Sequence, residues 1–296
     1  MKTIVITGGT SGLGAVAAQQ LLRTPTTRVL IGARRQGPAK TETLSLELAR
    51  LASVREFAEA VSATLGATEI DALVLNAGLQ FPNTDQRTED GFETTFAVNH
   101  LAHYLLLRLL LPKLAQGAIV VVTTSDTHDP QINPIAPPRH ADARQLAHPR
   151  RQPGERPRPL IEGFRAYSTS KLCNLLTARA LAASPDASAR GLRVIAYNPG
   201  FTPGTGLIRT QIWPVRFLMG PLMSILRPIF RFNTIAQAGG VLAELTLGRI
   251  EPPAGRIFAS LINRRLAWPD PSELARRDDV MKALWRDSAA LVGISE

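Results

Sequence analysis

Apolar positions along this chain fall in short blocks, and the period inside the blocks changes from one to the next. The runs "KTIVIT" (2–7), "RVLIGA" (28–33), "DALVLNAG" (71–78), "AIVVVTT" (118–124) and "LRVIAYNPG" (192–200) are almost continuously apolar at strand length. "TLSLELA" (43–49) alternates and predicts another strand, and "GRIFAS" (255–260) predicts a last short one. Helical spacing fills 12–23, 53–65, 89–115, 164–183 and 234–247. Ser53, with Glu56 three residues on, predicts a capping box at the start of the second helix. Strands that are apolar on both faces, alternating with helices, predict an α/β fold: one doubly wound parallel sheet in three layers, a single domain over 1–296.

Three segments break the rhythm. Arg35 to Thr43 is too short for a crossover helix, which predicts an extended or one-turn connection between the second and third strands. Residues 126–163 are rich in Pro and Arg without an apolar period and predict a long surface insertion, with 138–159 as a solvated flap. Residues 201–233 are strongly apolar but interrupted by Pro203, Pro214, Pro221 and Pro228. They predict a substrate lid, with plain packing, or peripheral membrane contact through Arg216, Arg227 and Arg231, as alternatives. Residues 264–296 form a C-terminal tail and helix.

Composition narrows the class. At 296 residues with 45% hydrophobic content, the chain can bury a sizeable core. A single Cys excludes an internal disulfide framework and, with no targeting signal at the N-terminus, predicts a cytoplasmic protein. No run of about 18 apolar residues predicts a spanning helix. The net charge of +10 comes from Arg scattered along the chain, so no nucleic-acid partner is expected.

The candidate chemistry begins at "TGGTSGLG" (7–14), between the first strand and the first helix. Gly8, Gly12 and Gly14 allow a tight turn and close approach of a pyrophosphate to the helix N-terminus, a Rossmann-type dinucleotide site. The second strand ends in "GARR" (32–35), where an NAD site usually carries a carboxylate. Arg34 and Arg35 suit a 2′-phosphate, with no carboxylate near to repel it, so NADP(H) is the expected cofactor. Tyr167 and Lys171 stand one helical turn apart. A phenol titrates near 10 unaided, and a neighbouring ammonium favours its phenolate, which makes the pair a candidate acid/base. His103 and His128 have no partner at ligand spacing, so no metal is expected, and His100 is read as a packing or surface residue.

The motifs "NAG" (76–78), "VNH" (98–100), "TTSDTHDP" (123–130), "AYSTSKLCN" (166–174) and "NPGFTPGTG" (198–206), in this order after the glycine turn, resemble the short-chain dehydrogenase/reductase family across nearly the whole chain. The resemblance implies an oxidoreductase transferring hydride between NADP(H) and an apolar carbonyl or alcohol. It implies that Ser11 and Leu13 help the glycines through their backbone, that Glu47 and Leu48 flank the adenine, and that Asn76, Ala77 and Gly78 line the ribose side. Asn99 would hold a water in a proton relay with Lys171. Ser125 would bond the substrate oxygen, although alignment on the strand selects Thr124 instead. Tyr167 would be the acid/base, with Lys171 binding ribose and tuning it. Pro199, Gly200 and Thr202 would hold the nicotinamide. "AYSTSKLCN", "PGFTPGTGLIR" and the C-terminal "DVMKALWRDSAALVGI" (279–294) resemble the branch of protochlorophyllide reductases and retinol-dehydrogenase-like enzymes. Reduction of a C=C bond and a non-catalytic NADPH sensor are the alternative readings, and the oligomer is a monomer or homodimer. Cys173 lies about 200° round the helix from Lys171, which predicts core packing, with a thiol lining the substrate pocket as the alternative.

Overall fold

The computed structural model of the chain describes residues 1–150, 156–204 and 232–295. Most of the 201–233 segment, with its expected lid and its membrane-contact arginines, lies outside them. Eight strands form one sheet in the order β3-β2-β1-β4-β5-β6-β7-β8. They are β1 (Lys2–Thr7), β2 (Thr27–Ala33), β3 (Glu42–Ser45), β4 (Ile70–Leu75), β5 (Leu114–Thr123), β6 (Arg193–Asn198), β7 (Phe258–Ile262) and β8 (Arg265–Ala267). All pairings are parallel except the closing β7–β8 hairpin. This is the doubly wound Rossmann-type sheet, with an antiparallel edge strand that its three half-exposed residues gave no apolar pattern to reveal.

The helices are α1 (Gly12–Leu22), α2 (Leu51–Leu65), α3 (Thr94–Phe96), α4 (Ala102–Leu110), α5 (Ala143–Ala147), α6 (Pro159–Ala182), α7 (Pro185–Arg190), α8 (Ile235–Leu247), α9 (Glu273–Arg276) and α10 (Asp278–Leu291). Successive strand residues feed opposite faces. Val5, Leu30, Leu73, Val120 and Val122 pack with α2, α4, α6 and α10, while Ile4, Ile6, Ile31, Val74 and Val121 pack with α1 and α8. Each such side chain, once buried, contributes about 1.5–3 kcal/mol. That two-sided burial is why the strands read as unbroken apolar runs.

Several expectations need correction. β3 stops at Ser45, not 49: Leu46 and Leu48 turn inward to the core as the chain leaves the sheet edge. Ser53 is not the cap of α2, because its hydroxyl already accepts the Glu47 N–H; the Asp90 carboxylate accepts the Leu51 N–H instead. The 89–115 helix starts only at Thr94, where Glu93 caps it by accepting from Thr95 and Phe96 N–H. It passes through a π turn at Ala97–Leu101 and ends in a 3-10 turn at Leu111–Lys113, where Pro112 stops it. The 138–159 stretch is not a wholly solvated flap. Ala141, Ala143 and Ala147 are buried, and Ala147 accepts the Glu93 N–H. The connection from Arg34 to Thr41 contains no helix, as its length predicts, and no helix among the described residues is long and apolar enough to cross a membrane.

The C-terminal helix closes the core. Tyr104 donates to the Trp285 carbonyl at 2.9 Å, and the Arg108 guanidinium lies 5.2 Å from the Trp285 ring centre. His100, 1% exposed, meets the Ser288 hydroxyl at 2.9 Å, which makes it a packing residue. Burial pulls its imidazole down to about 3, against a hydrogen bond with Asn174 and with a further push from His103. The unfolded chain binds a proton there below about pH 6.5 and the folded chain does not, so folded stability is lost as pH falls from 6.5 toward 3, by up to about 1.4 kcal/mol per unit. Urea midpoints measured at pH 7 and 4.5 should therefore fall more steeply for the wild type than for His100→Gln. Equal falls would remove His100 as a source of acid sensitivity.

Candidate active site

The C-terminal ends of β1, β4, β5 and β6 come together at one edge of the sheet, where open α/β sheets bind ligands. β1 runs out at Thr7 into the glycine turn. A methyl on Gly14 would collide with the Gly8 carbonyl oxygen and come within 2.6 Å of Asn76 Nδ2, so only glycine leaves this cradle open. Ser11 precedes α1 in extended conformation and gives it no side-chain cap. The first-turn N–H groups are thus left with no side-chain acceptor, a setting that suits a pyrophosphate. Asn76 closes the cradle from the side: its Nδ2 donates to the Thr7 and Gly8 carbonyls at 3.2 and 3.4 Å. Its Oδ1 accepts from the Thr123 hydroxyl at 3.2 Å, which joins β5 to the group.

Tyr167 and Lys171 lie on α6, buried on every side from Tyr167 to Ala178. Lys171 Nζ donates to the Thr123 carbonyl at 3.1 Å and stands 5.8 Å from the Tyr167 ring centre. A methyl on Gly78 would lie 3.3 Å from Lys171 Nζ and 3.4 Å from Asn99 Oδ1, so these three residues do converge. Burial pulls the Lys171 ammonium down to about 8. Burial also pushes the Tyr167 phenol up, with the neighbouring Ser125 hydroxyl opposing the rise and Asp126 adding to it.

The structure separates the two candidate hydroxyls. Thr124 Oγ1, 1% exposed, donates to the Lys171 carbonyl at 2.6 Å and holds α6 to β5. Ser125 is the one within reach of Tyr167. Asn99 sits in the π turn with both of its amide hydrogens committed. Its Oδ1 accepts from Leu79 N–H at 2.8 Å, and its Nδ2 donates to the Leu79 carbonyl and the Ser170 hydroxyl, both at 2.9 Å. Oδ1 keeps one lone pair for a further donor such as a water, and the backbone carbonyl accepts from His103 Nδ1 at 3.1 Å. Cys173 is 0% exposed in the core shared with Leu172 and Leu176, so it packs and does not line the site.

At the adenine end one expectation is overturned. Glu47 Oε2 lies 3.3 Å from Arg34, so a carboxylate does stand beside this cation. Both partners are exposed, and such pairs contribute about 0–1 kcal/mol. Arg35 makes no ion pair among the described residues. The Leu48 side chain is 9% exposed in the core, which leaves only its backbone to face an adenine. Ala77, next to Gly78, also packs against that core.

At the other end, the Gly200 N–H donates to Asn198 Oδ1 at 2.9 Å, and Thr202 shares its hydroxyl proton between the Pro199 and Gly200 carbonyls, each 3.1 Å away. Asn233 fixes this turn from behind. Its Nδ2 donates to the Pro199 and Leu261 carbonyls at 3.0 and 2.6 Å, and its Oδ1 accepts the Arg264 N–H. Sequence reasoning missed Asn233 and His103. Both act through partners far along the chain, and the only local signal was an Asn directly before a Thr N-cap and a His on an apolar helix face.

Comparison with known proteins identifies the family. The short chain dehydrogenase family model matches residues 2–136. Dehydrogenase/reductase SDR family member 13 of Bos taurus is 31% identical over 99% of this chain and 74% of its own length. Protochlorophyllide reductase A of Oryza sativa subsp. japonica is 29% identical over 98% of this chain and 80% of its own. Retinol dehydrogenase 12 of Bos taurus is 29% identical over 99% and 87%. The crystal structure of an uncharacterised protein from Mycobacterium paratuberculosis superposes with a TM-score of 0.70 at 28% identity, covering 100% of this chain and 94% of that one. The chain belongs to the short-chain dehydrogenase/reductase family, oxidoreductases that use a nicotinamide cofactor, in the branch of protochlorophyllide reductases and retinol-dehydrogenase-like enzymes.

Proposed function

We propose that this chain is an NADP(H)-dependent oxidoreductase acting on an apolar carbonyl or alcohol, with Tyr167 as its general acid/base. The observation that carries the reading is the Tyr167 hydroxyl in reach of Ser125, with Lys171 buried behind it at the strand ends that face the glycine cradle. Gly8, Ser11, Gly12, Leu13 and Gly14 hold the pyrophosphate, Asn76, Ala77 and Gly78 the ribose side, and Pro199, Gly200 and Thr202 the far end. The bound cofactor supplies or receives the hydride.

In the direction of reduction, Ser125 donates a hydrogen bond to the substrate oxygen, and Tyr167 passes it a proton as charge develops there. Lys171, with a value of about 8, is mostly an ammonium at neutral pH and offsets the resulting phenolate. Asn99 keeps the loop at Leu79 and the helix at Ser170 in register around them. A second reading, reduction of a C=C bond, draws on the protochlorophyllide reductase relative. Consumption of NADPH with a tetrapyrrole only under illumination would favour it.

Screening NADPH consumption against aldehydes, ketones and quinones should reveal turnover that Tyr167→Phe lowers about 100- to 10,000-fold, with NADPH binding by fluorescence retained. Undiminished turnover in that variant would rule out Tyr167 as the acid/base. Turnover with none of these compounds, together with an unchanged cellular phenotype for the variant, would favour a non-catalytic sensor.

The cofactor preference rests on Arg34 and Arg35. A 2′-phosphate takes Arg34 from Glu47 at small cost and finds Arg35 uncommitted. The double variant Arg34→Asp/Arg35→Asp should weaken NADPH at least tenfold relative to NADH in a fluorescence titration. An unchanged ratio would refute the preference.

A further inference from the structure

Ser125 lies two residues beyond the end of β5 and caps a single 3-10 turn, Asp126–His128. The turn's own backbone bond is weak, with the His128 N–H reaching the Ser125 carbonyl at 3.5 Å. That same carbonyl lies 2.6 Å from Nδ1 of the His128 ring. A carbonyl only accepts, so Nδ1 carries the proton. On the other side of the ring, Nε2 faces the Ser272 N–H at 3.3 Å. A backbone N–H only donates, so Nε2 is bare. Both contacts demand the same neutral tautomer. The ring is 2% exposed and meets Phe258 edge-on, 5.3 Å between centres. It is therefore held by its own turn, by β7 and by the residue that precedes α9.

The Ser125 hydroxyl has little else to aim it. It accepts from the Thr127 N–H at 3.3 Å and donates to the Asp126 carboxylate at 3.4 Å, both long contacts. Its direction toward Tyr167 follows from the backbone of the turn, and the short bond of that turn is the imidazole bond. We propose that His128 is the positioning residue for Ser125, closing the turn so that the Ser125 hydroxyl is aimed at the substrate oxygen. The proposal rests on the reading of Ser125 as the substrate-binding hydroxyl. It also makes the Ser272 segment, distant in sequence, part of the support of the site.

The test measures kcat, KM and NADPH affinity for His128→Asn, His128→Gln and His128→Phe, each alone and in a Ser125→Ala background, with melting temperatures alongside. Asn puts an amide N–H near the position of Nδ1, Gln puts one near Nε2 only, and Phe keeps the ring alone. His128→Asn should hold kcat within threefold of wild type. Gln and Phe should lose at least tenfold in kcat with NADPH affinity within twofold, and should cost less than twofold more once Ser125 is Ala. Should Gln or Phe fail to fold, Ser272→Pro serves in their place. Ser272 has φ −53°, which proline accepts, and its hydroxyl makes no hydrogen bond, so the one hydrogen bond the change removes is that of the N–H anchoring Nε2. It should lower kcat at least threefold in the wild-type background and not in Ser125→Ala. Wild-type kcat in His128→Gln and His128→Phe, or losses that persist in full when Ser125 is Ala, would overturn the inference. Ser125→Ala with wild-type turnover would instead overturn the reading of Ser125 itself.

Discussion

The site hangs on one hydroxyl. Thr7 Oγ1 receives the N–H groups of Asn76 and Ala77 at 2.9 and 3.1 Å and lies 2.9 Å from His103 Nε2. A hydroxyl has one proton and two lone pairs. With both acceptor positions filled by backbone donors, the proton goes to Nε2, and His103 must carry its own on Nδ1, facing the Asn99 carbonyl. A single path of satisfied polar groups thus runs from the end of β1 through the end of β4 to the π turn. All its members are buried or nearly so, where an unmet group would cost about 1–3 kcal/mol. Burial draws His103 down to about 4, which keeps the ring neutral and the path intact at neutral pH.

Around this frame the charged and polar groups are held at a cost to stability. Lys171 is 3% exposed with the Thr123 carbonyl as its hydrogen-bond acceptor, and Tyr167 is 8% exposed. Burial opposes the ammonium of one and the phenolate of the other, so the pair reaches its charged form only with compensation at the strand ends. A core built for stability alone would fill these positions with leucine. The long buried face of α6, with Ser168, Thr169 and Ser170 among apolar neighbours, carries the same compromise.

Much of this was legible in the sequence. Two-sided burial writes itself as continuous apolar runs, so the parallel strands, their order of appearance and most helices followed from periodicity alone. The glycine turn and the Tyr167/Lys171 stripe show in short-range spacing, whereas Asn76 is legible only through the family resemblance. What escaped depends on partners far along the chain. Ser53 looks like a cap until Glu47 takes its hydroxyl. The alanines at 141, 143 and 147 are too small to stand out among Pro and Arg, yet they pack into the core. Asn233 and His128 offer little local pattern. Their meaning comes from carbonyls and N–H groups that only the folded chain brings near.

The turn after β6 has a broader consequence. Phe201 and Phe232 meet edge-on with centres 4.9 Å apart, and the Asn233 N–H donates to the Phe201 carbonyl at 3.2 Å. The chain is therefore clasped where Phe201 meets Phe232 and Asn233. Extending a closed loop adds only about 0.6 kcal/mol per doubling of its length. By that arithmetic the number of residues between Phe201 and Phe232 can change at small cost while the Pro199 turn, held by Thr202 and Asn233, keeps its place.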